Sequence, residues 1–97
     1  MKTTELIPVF VDQLPLEVEE GKIYITNEYG ISVHLCACGC KVKTFLPFSH
    51  IIEGRDMGWV HSVQDGKIST TPSIGNWSGE NPYHAHYFIV NNKIVWC

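Results

Sequence analysis

Short runs of β-forming residues, separated by residues that favour tight turns, restrict the fold of this 97-residue chain more than any other feature. In residues 22–26 the apolar Ile23 and Ile25 alternate with other residues, and residues 31–35 show the same alternation. Residues 27–30 between these two runs suit a turn, so a hairpin is predicted over residues 22–35. Two more hairpins are predicted, over residues 59–71 around Asp65-Gly66 and over residues 83–96 around Asn91-Asn92. These turn residues tolerate the left-handed backbone conformation that tight turns require.

Apolar residues nowhere keep a 3.6-residue period over ten residues or more, so no long helix is expected. The pattern of residues 41–46 predicts a further strand that ends at Pro47, and residues 48–58 are expected to be irregular, with at most one helical turn. Proline and glycine in residues 71–77 indicate a rigid turn between the second and third hairpins. The sequence therefore predicts an all-β single domain of antiparallel hairpins over residues 1–97, with residues 1–21 less regular.

Three cysteines within five residues, Cys36, Cys38 and Cys40, indicate a metal site. Thiols so close together pair poorly as disulfides, whereas thiolates and imidazoles are ligands that zinc prefers. A chain of this size has a modest hydrophobic core, so a metal that connects its hairpins would add stability. We therefore expect Zn²⁺, and we favour it over iron because the usual iron–sulfur motifs need more well-spaced cysteines. The alternatives are small buried cysteines or a disulfide framework.

The complete ligand set is left open by the sequence. His84 and His86 would share one face of a strand, as would His34 and Cys36, so either pair could converge on one ion. Gly39 can adopt a positive φ that folds the backbone around a metal and directs N–H groups at sulfur. The one-residue gaps between the cysteines differ from the two-residue gap of common structural zinc sites, so which cysteines bind is also open. The ligands that we put forward are Cys36, Cys38, Cys40 and His84, with His86 and His34 as the alternatives.

The residues around Ser73 are of the kind that can present a serine as a catalytic nucleophile. A rigid turn between Pro72 and Gly75 can expose its hydroxyl while the N–H groups of Ile74 and Gly75 point outward together, as in an oxyanion hole. The same residues also suit a loop between strands for conformational reasons alone. His86 precedes an apolar run, and it is either a ligand or catalytic group or a hydrogen-bonded histidine at the start of a strand.

Charge and hydropathy restrict the partners. The net charge is −3 and the seven basic residues are spread along the chain, so no basic stripe is present and no nucleic-acid partner is expected. The first eight residues contain an acid and a proline where a signal peptide needs an unbroken apolar segment, and no run is long enough to span a membrane. We therefore expect a cytoplasmic protein with no membrane partner.

A series of motifs runs through about residues 35–97. Cys-x-Cys-Gly-Cys is followed by a Trp with an Asp-Gly hairpin, then by Pro-Ser-Ile-Gly-Asn-Trp, His-Tyr-aromatic-Ile and a final Val-Trp. In this order the chain resembles a family of small bacterial proteins of unknown function that are encoded beside ubiquitin-like conjugation genes. The residues before 35 agree only loosely. The sequence also departs from the family pattern in one place, since Tyr83 stands where a cysteine is expected, so His84 or Cys97 would supply the fourth ligand.

The resemblance implies a zinc-bearing β domain that works with a ubiquitin-like protein and its activating and conjugating enzymes. It further implies a peptidase that trims the modifier or removes it from targets. Thiolate-rich zinc is a poor Lewis acid, so the zinc is expected to be structural and the chemistry to belong to Ser73, with His86 or His34 as general base. Asp65 and Glu80 are the acidic candidates for a third member.

Two other functions fit the same residues. In the first, the chain is a non-enzymatic module whose zinc holds the hairpins together while an aromatic groove binds the modifier or one of its enzymes. In the second, a cysteine of low pKa, Cys38 or Cys40, accepts the modifier as a thioester or responds to oxidation.

Overall fold

The computed structural model describes residues 3–39, 42–49, 51–56, 58–78 and 81–96, and of residues 52, 72, 76–78 and 81–85 it describes the backbone alone. The regular secondary structure of these described residues consists of β-strands, which confirms the all-β class. None of them forms a helix long and apolar enough to cross a membrane. The strands are β1 (Ile7–Phe10), β2 (Lys22–Thr26), β3 (Ile31–Leu35), β4 (Lys43–Pro47), β5 (Ile51–Ile52), β6 (Arg55–Asp56), β7 (Val60–Gln64), β8 (Lys67–Ser78), β9 (Asn81–Val90) and β10 (Lys93–Trp96).

The first sheet has the strand order β1-β2-β3-β4. β2 and β3 are antiparallel and joined by a short turn, which confirms the hairpin predicted over residues 22–35. β1, in contrast, runs parallel to β2, with Ile7 opposite Lys22. The expectation of antiparallel hairpins throughout is therefore wrong for this pair, and the N-terminal segment contributes a strand. A parallel pair needs a long connection, and residues 11–21 provide it.

That connection lies across the face of the first sheet that points away from the second sheet. The Thr26 hydroxyl donates to the carbonyl of Asp12 (3.3 Å), and Lys43 Nζ on β4 donates to the carbonyl of Leu16 (2.8 Å). The chain thus passes from the β2 side of the sheet to the β4 side. Tyr24 and Val33 are buried beneath it although they do not face the core. The connection therefore covers part of the outer face of the first sheet, where Phe45 on β4 is still 51% exposed.

The second sheet has the order β10-β9-β8-β7, and all its neighbours are antiparallel. Its two described turns contain the residues predicted for them. Asp65 and Gly66 have φ of 54° and 74°, and Asn91 and Asn92 have φ of 48° and 72°. Two consecutive residues with positive φ are what a type I′ turn, one of the common two-residue hairpin turns, requires. The hairpins predicted over residues 59–71 and 83–96 are confirmed.

β8 is longer than the sequence indicates. Residues 71–77, predicted to form a rigid turn, continue the strand and pair with β9, so β8 and β9 form a further hairpin. The prediction of a turn failed because proline and glycine, which usually end strands, are tolerated here at an irregularity in the pairing. Residues 51–56, expected to be irregular, form the short hairpin β5–β6, with positive φ at Glu53 and Gly54.

The hydrophobic core lies between the two sheets. Each sheet contributes every second side chain of its strands, as the two-residue period of a strand requires. The buried side chains of the core are Leu6, Ile23, Ile25, Cys36, Ala37, Leu46, Ile68, Ile74, Tyr87 and Ile89.

Asn92 connects the N-terminal segment to the second sheet. Its carbonyl accepts from the N–H of Leu6 (2.7 Å), and its N–H donates to the carbonyl of Ile68 (2.8 Å). Its side-chain Oδ1 accepts from the N–H of Ile68 (2.7 Å). The residue is therefore both a turn residue and a buried hydrogen-bonding centre.

Candidate active site

Ser73 and His86 form a hydrogen-bonded pair on the second sheet. Ser73 Oγ lies 2.7 Å from His86 Nε2, although the residues are 13 positions apart in the chain. Ser73 is partly exposed and His86 is exposed, so solvent and substrate can reach both side chains. A histidine at this distance can accept the proton of a serine hydroxyl when the oxygen attacks a carbonyl carbon.

Ser73 lies at an irregularity in the pairing of β8 with β9. Between Thr70 and Ile74, β8 advances four residues while the paired strand β9 advances only two. The extra residues form a bulge that includes Pro72 and Ser73. Proline has no N–H for the ladder, so a bulge is one of the few places where a strand accommodates it. Bulges also change the direction of a side chain, and here the residue directly after the proline carries the hydroxyl.

The position of His86 follows from the alternation of β9. Tyr87 and Ile89 are fully buried in the core, so His86 and Phe88 point to the opposite, outer face of the sheet. Gly75 is the cross-strand partner of His86 and has no side chain that could occupy the space beside the imidazole. The imidazole can therefore lean along the sheet to the hydroxyl of Ser73 in the bulge.

The expected arrangement of N–H groups after Ser73 is wrong. Ile74 and Gly75 are regular antiparallel partners of β9, and successive residues of such a strand direct their N–H groups to opposite edges. One of the two N–H groups therefore points to β9. The other points to the edge that β7 leaves unpaired, because the pairing of β7 with β8 ends at Thr71.

Trp59 fixes the backbone at Ser73. Its indole Nε1 donates to the carbonyl of Ser73 (3.4 Å), and its own N–H donates to the carbonyl of Pro47 (2.9 Å). The ring packs against the core. The sequence gives no sign of this contact, because it depends on where β7 ends relative to the bulge of β8.

His34, the second candidate for the general base, lies elsewhere. It is fully buried between the sheets, and its Nε2 is 2.7 Å from the hydroxyl of Tyr87. Burial, with a smaller contribution from the nearby His61, lowers the pKa of His34 to about 3. Its Nδ1 has no hydrogen-bond partner among the described residues. The structure pairs Ser73 with His86 and assigns His34 a contact between the two sheets.

Two of the predicted zinc ligands lie together directly after β3. Cys36 Sγ is buried and lies 3.3 Å from Cys38 Sγ. Two sulfur ligands about 2.3 Å from a tetrahedral zinc would be about 3.8 Å apart, so a small movement would place both on one ion. Gly39 has the expected positive φ of 93°, but its N–H donates to the carbonyl of Cys36 (3.1 Å) and not to a sulfur. The donor pair fits zinc.

The rest of the predicted ligand set lies outside the described residues. These are Cys40 and the side chain of His84, together with the alternative ligand Cys97. Among the described residues, no group of three or more His, Cys, Asp or Glu side chains could hold a metal ion. The four-ligand site therefore stays a prediction.

Comparison with protein families adds an independent observation. A family model described as bacterial ubiquitination-like system serine protease (BubE) matches residues 10–97. The chain belongs to the BubE family. No curated protein and no solved structure matches it. The match confirms the predicted link to a bacterial ubiquitin-like system, and it begins 25 residues before residue 35, where the resemblance in the sequence was expected to start.

The chain contains a second serine–histidine pair that the sequence did not indicate. Ser32 Oγ lies 2.8 Å from His61 Nε2, and His61 Nδ1 lies 3.0 Å from the carbonyl of Trp59. Ser32 is fully buried in the core, so no substrate can reach its hydroxyl. Burial lowers the pKa of His61, which favours the neutral imidazole. This pair joins β3 to β7 and has a structural role.

Of the two acidic candidates for a third member of the site, the described residues include one, Asp65, and it lies far from Ser73. Asp65 lies in the turn before β8, eight residues before Ser73, and an extended strand of that length places it roughly 20 Å or more away. Glu80 lies outside the described residues.

Proposed function

We propose that this BubE-family chain is a serine hydrolase that cleaves an acyl bond at the C-terminus of a ubiquitin-like modifier. The bond is the peptide bond of a precursor, or the peptide, isopeptide or ester bond to a target. The distance of 2.7 Å between Ser73 Oγ and His86 Nε2 carries this proposal. The description of the family as serine proteases of a bacterial ubiquitination-like system agrees with it.

The proposed reaction has two half-reactions. Ser73 Oγ attacks the scissile carbonyl carbon while His86 Nε2 takes the hydroxyl proton. The tetrahedral intermediate collapses to an acyl-enzyme, and the leaving amine or alcohol takes the proton from His86. Water, deprotonated by the same imidazole, then attacks the acyl-enzyme. The ester bond to Ser73 Oγ breaks, the serine oxygen takes the proton back from His86, and the modifier leaves with a free carboxylate. The N–H of Ile74 or Gly75 that points away from β9 is available to stabilise the oxyanion.

We also propose that Cys36, Cys38, Cys40 and His84 bind a structural zinc ion. The 3.3 Å spacing of the sulfurs of Cys36 and Cys38 supports the first two members of this set. A thiolate-rich zinc is a weak Lewis acid, so its contribution is to stabilise the fold. Cys36 directly follows β3, and His84 precedes His86 on β9, so the ion would hold β3 beside the strand that carries the general base.

The proposed partners are the modifier itself and, within the same system, its activating and conjugating enzymes. A hydrolase that generates the free C-terminal carboxylate supplies the group that an activating enzyme consumes. Its product is then the substrate of the next step.

The test uses the modifier of the same bacterial system, expressed with a C-terminal extension. Intact mass spectrometry before and after incubation should show loss of the extension with the wild type and not with Ser73→Ala. Ser62→Ala is the matched control, because Ser62 is an exposed serine on β7 of the same sheet, and this variant should cleave at the wild-type rate. Retained cleavage by Ser73→Ala contradicts the serine mechanism. An unchanged mass with stable co-elution of the two proteins would instead indicate a binding module.

A further inference from the structure

The strand that carries Ser73 has a free edge that begins beside this residue. On the side of β8 that faces β7, the pairing ends at Thr71. The chain before β7 comes from the first sheet, since the N–H of Trp59 donates to the carbonyl of Pro47 on β4 (2.9 Å). Among the described residues, none forms a strand pairing with residues 72–78 on this edge. The second sheet therefore offers an unpaired stretch of backbone next to the proposed nucleophile.

The direction of each backbone group on this edge follows from one contact. The indole of Trp59, at the start of β7, donates to the carbonyl of Ser73 (3.4 Å), so this carbonyl points to the free edge. In a planar trans peptide the N–H points opposite to the preceding carbonyl, so the N–H of Ile74 points to β9. Directions alternate along a strand. The N–H and the carbonyl of Gly75 therefore both point to the free edge.

The register of the neighbouring hairpin leads to the same assignment. Val90 and Lys93 flank the two-residue turn between β9 and β10 and face each other, so by alternation Tyr87 directs its backbone groups to β8. Ile74 is the partner of Tyr87 and therefore faces β9. The irregularity near the end of β8 places its extra residues on β9, so β8 keeps its alternation there. Trp77 therefore also directs its N–H and carbonyl to the free edge.

Gly75 suits the close approach of a second backbone. It has no side chain, and a glycine inside a strand often marks a place where a ligand or another backbone comes close. It follows Ser73 by two residues, which is about 7 Å along a strand. On the other side of Ser73, the edge is occupied by Trp59 and β7. A strand added to this edge must therefore end, or leave the sheet, beside the serine hydroxyl.

We propose that the modifier's C-terminal tail adds to this edge as an extended antiparallel strand and that Gly75 pairs with the last residue before the scissile bond. The carbonyl of that residue accepts from the N–H of Gly75, and its N–H donates to the carbonyl of Gly75. The third residue from the scissile bond makes the same pair with Trp77. This inference rests on the proposed function and identifies how the site recognises the tail.

The same pairing supplies the oxyanion donor. When Ser73 Oγ bonds to the carbonyl carbon and its proton passes to His86, the electron pair of the carbonyl π bond moves to the oxygen. That oxygen is the one that accepts from the N–H of Gly75, so the hydrogen bond strengthens as the negative charge forms. Strand pairing thus positions the scissile carbonyl and stabilises the tetrahedral intermediate.

The antiparallel direction follows from which part of the substrate stays bound. The modifier forms the acyl group and remains on Ser73 through both half-reactions, whereas the leaving group departs after the first. The tail is also common to a precursor and to every conjugate. The free edge extends only from Ser73 toward the end of β8. A tail whose last residue lies at Gly75 must therefore run in the direction opposite to β8.

The first test replaces single N–H groups of the tail by N-methyl groups. The substrate is the extended modifier, prepared by ligating a synthetic tail that carries the cleavage site to the folded body. Methylation of the last or of the third-last residue before the scissile bond should lower kcat/KM about tenfold or more, since each change removes one hydrogen bond and places a methyl group against β8. Methylation of the residue between them is the matched control. Its N–H points away from β8, so kcat/KM should stay close to that of the unmodified substrate.

The second test follows the backbone of the protein itself. Ser73→Ala, which cannot cleave, is mixed with the extended modifier, and amide exchange with water is measured by NMR. At a modifier concentration about ten times Kd, exchange at Gly75 and Trp77 should slow about tenfold, because only the free fraction exchanges. Ile74 and Asn76 are the internal controls. Their N–H groups point to β9, so their exchange should not change.

The outcomes separate this proposal from the proposed function. If the wild type cleaves all three methylated substrates equally well, the strand pairing is overturned while the serine mechanism stands. Loss of cleavage only on methylation of the middle residue also overturns it, because the opposite edge of the tail would then face the protein. If the wild type does not cleave even the unmethylated modifier, the proposed function fails. Slow exchange at Gly75 that depends on protein concentration, and not on the modifier, would overturn the pairing and assign the edge to a second copy of this chain.

Discussion

Removing one hydroxyl, in Tyr87→Phe, should destabilise the protein because it leaves a buried imidazole without its hydrogen-bond partner. The hydroxyl is 2.7 Å from His34 Nε2, and both residues are fully buried. Because His34 Nδ1 already has no partner among the described residues, the variant would leave both ring nitrogens unpaired. A buried polar group left without a partner costs about 1–3 kcal/mol.

That free energy gives a measurable change in Tm. For a domain of this length, 1 kcal/mol corresponds to about 4–8 °C, so a loss of about 2 kcal/mol predicts a Tm lower by about 8–16 °C. Urea denaturation followed by circular dichroism gives the same free energy independently, provided that the slope m is unchanged. Tyr29→Phe is the matched control, since Tyr29 is 61% exposed, and it should change stability by less than about 0.5 kcal/mol.

A double-mutant cycle tests the cause. Replacing both partners of a buried hydrogen bond by apolar groups is far less costly than removing one of them. His34→Leu combined with Tyr87→Phe should therefore be more stable than the sum of the two single changes predicts. The reasoning is refuted if Tyr87→Phe lies within about 0.5 kcal/mol of the wild type, or if the two changes are additive.

Three further outcomes are expected. Trp59→Phe keeps an aromatic ring against the core but removes the N–H that holds the Ser73 carbonyl, so kcat should fall several-fold with KM and Tm little changed; a wild-type kcat would exclude a positioning role. Asn92→Ala removes the acceptor for the Ile68 N–H and places alanine at a φ of 72°, where its side chain is strained. The free energy of unfolding, measured by urea denaturation, should therefore fall by about 2–3 kcal/mol, and it should fall less in Asn92→Asp. If the cysteines hold structural zinc, elemental analysis should find one ion per chain, and a chelator should unfold the protein, since such sites contribute on the order of 10 kcal/mol; a chelated protein of unchanged Tm contradicts this.

Local turn chemistry made much of the fold predictable. Asp65-Gly66 and Asn91-Asn92 form the turns that their residue types favour, because tight hairpins need positive φ and few residues tolerate it. The strands on either side follow from the same signals. The all-β class and three of the hairpins needed no information from distant parts of the chain.

Pairings between distant segments were not predictable in this way. The parallel alignment of β1 with β2 depends on the path of residues 11–21 across the first sheet, which no local pattern specifies. The continuation of β8 through Pro72 and Gly75 also contradicts the usual meaning of these residues. None of the four residues of β1 is buried, so its backbone pairing with β2 holds this strand in place. In β8, the burial of Ile74 in the core outweighs the local preference of the chain.

The proposed catalytic pair also combines features that the sequence predicts with features that only the tertiary structure decides. The sequence alone marked Ser73, beside a proline, and His86, before an apolar run, as residues capable of acyl transfer chemistry, because residue type determines what a side chain can do. The 2.7 Å contact between them is a tertiary property. The contact requires the bulge at which β8 advances four residues while β9 advances two. It also requires the burial of Tyr87, which directs His86 to the outer face of the sheet. His34, in contrast, stays in the core and contacts Tyr87. Residue chemistry is encoded position by position, but the register of two strands is decided by the packing of both sheets together.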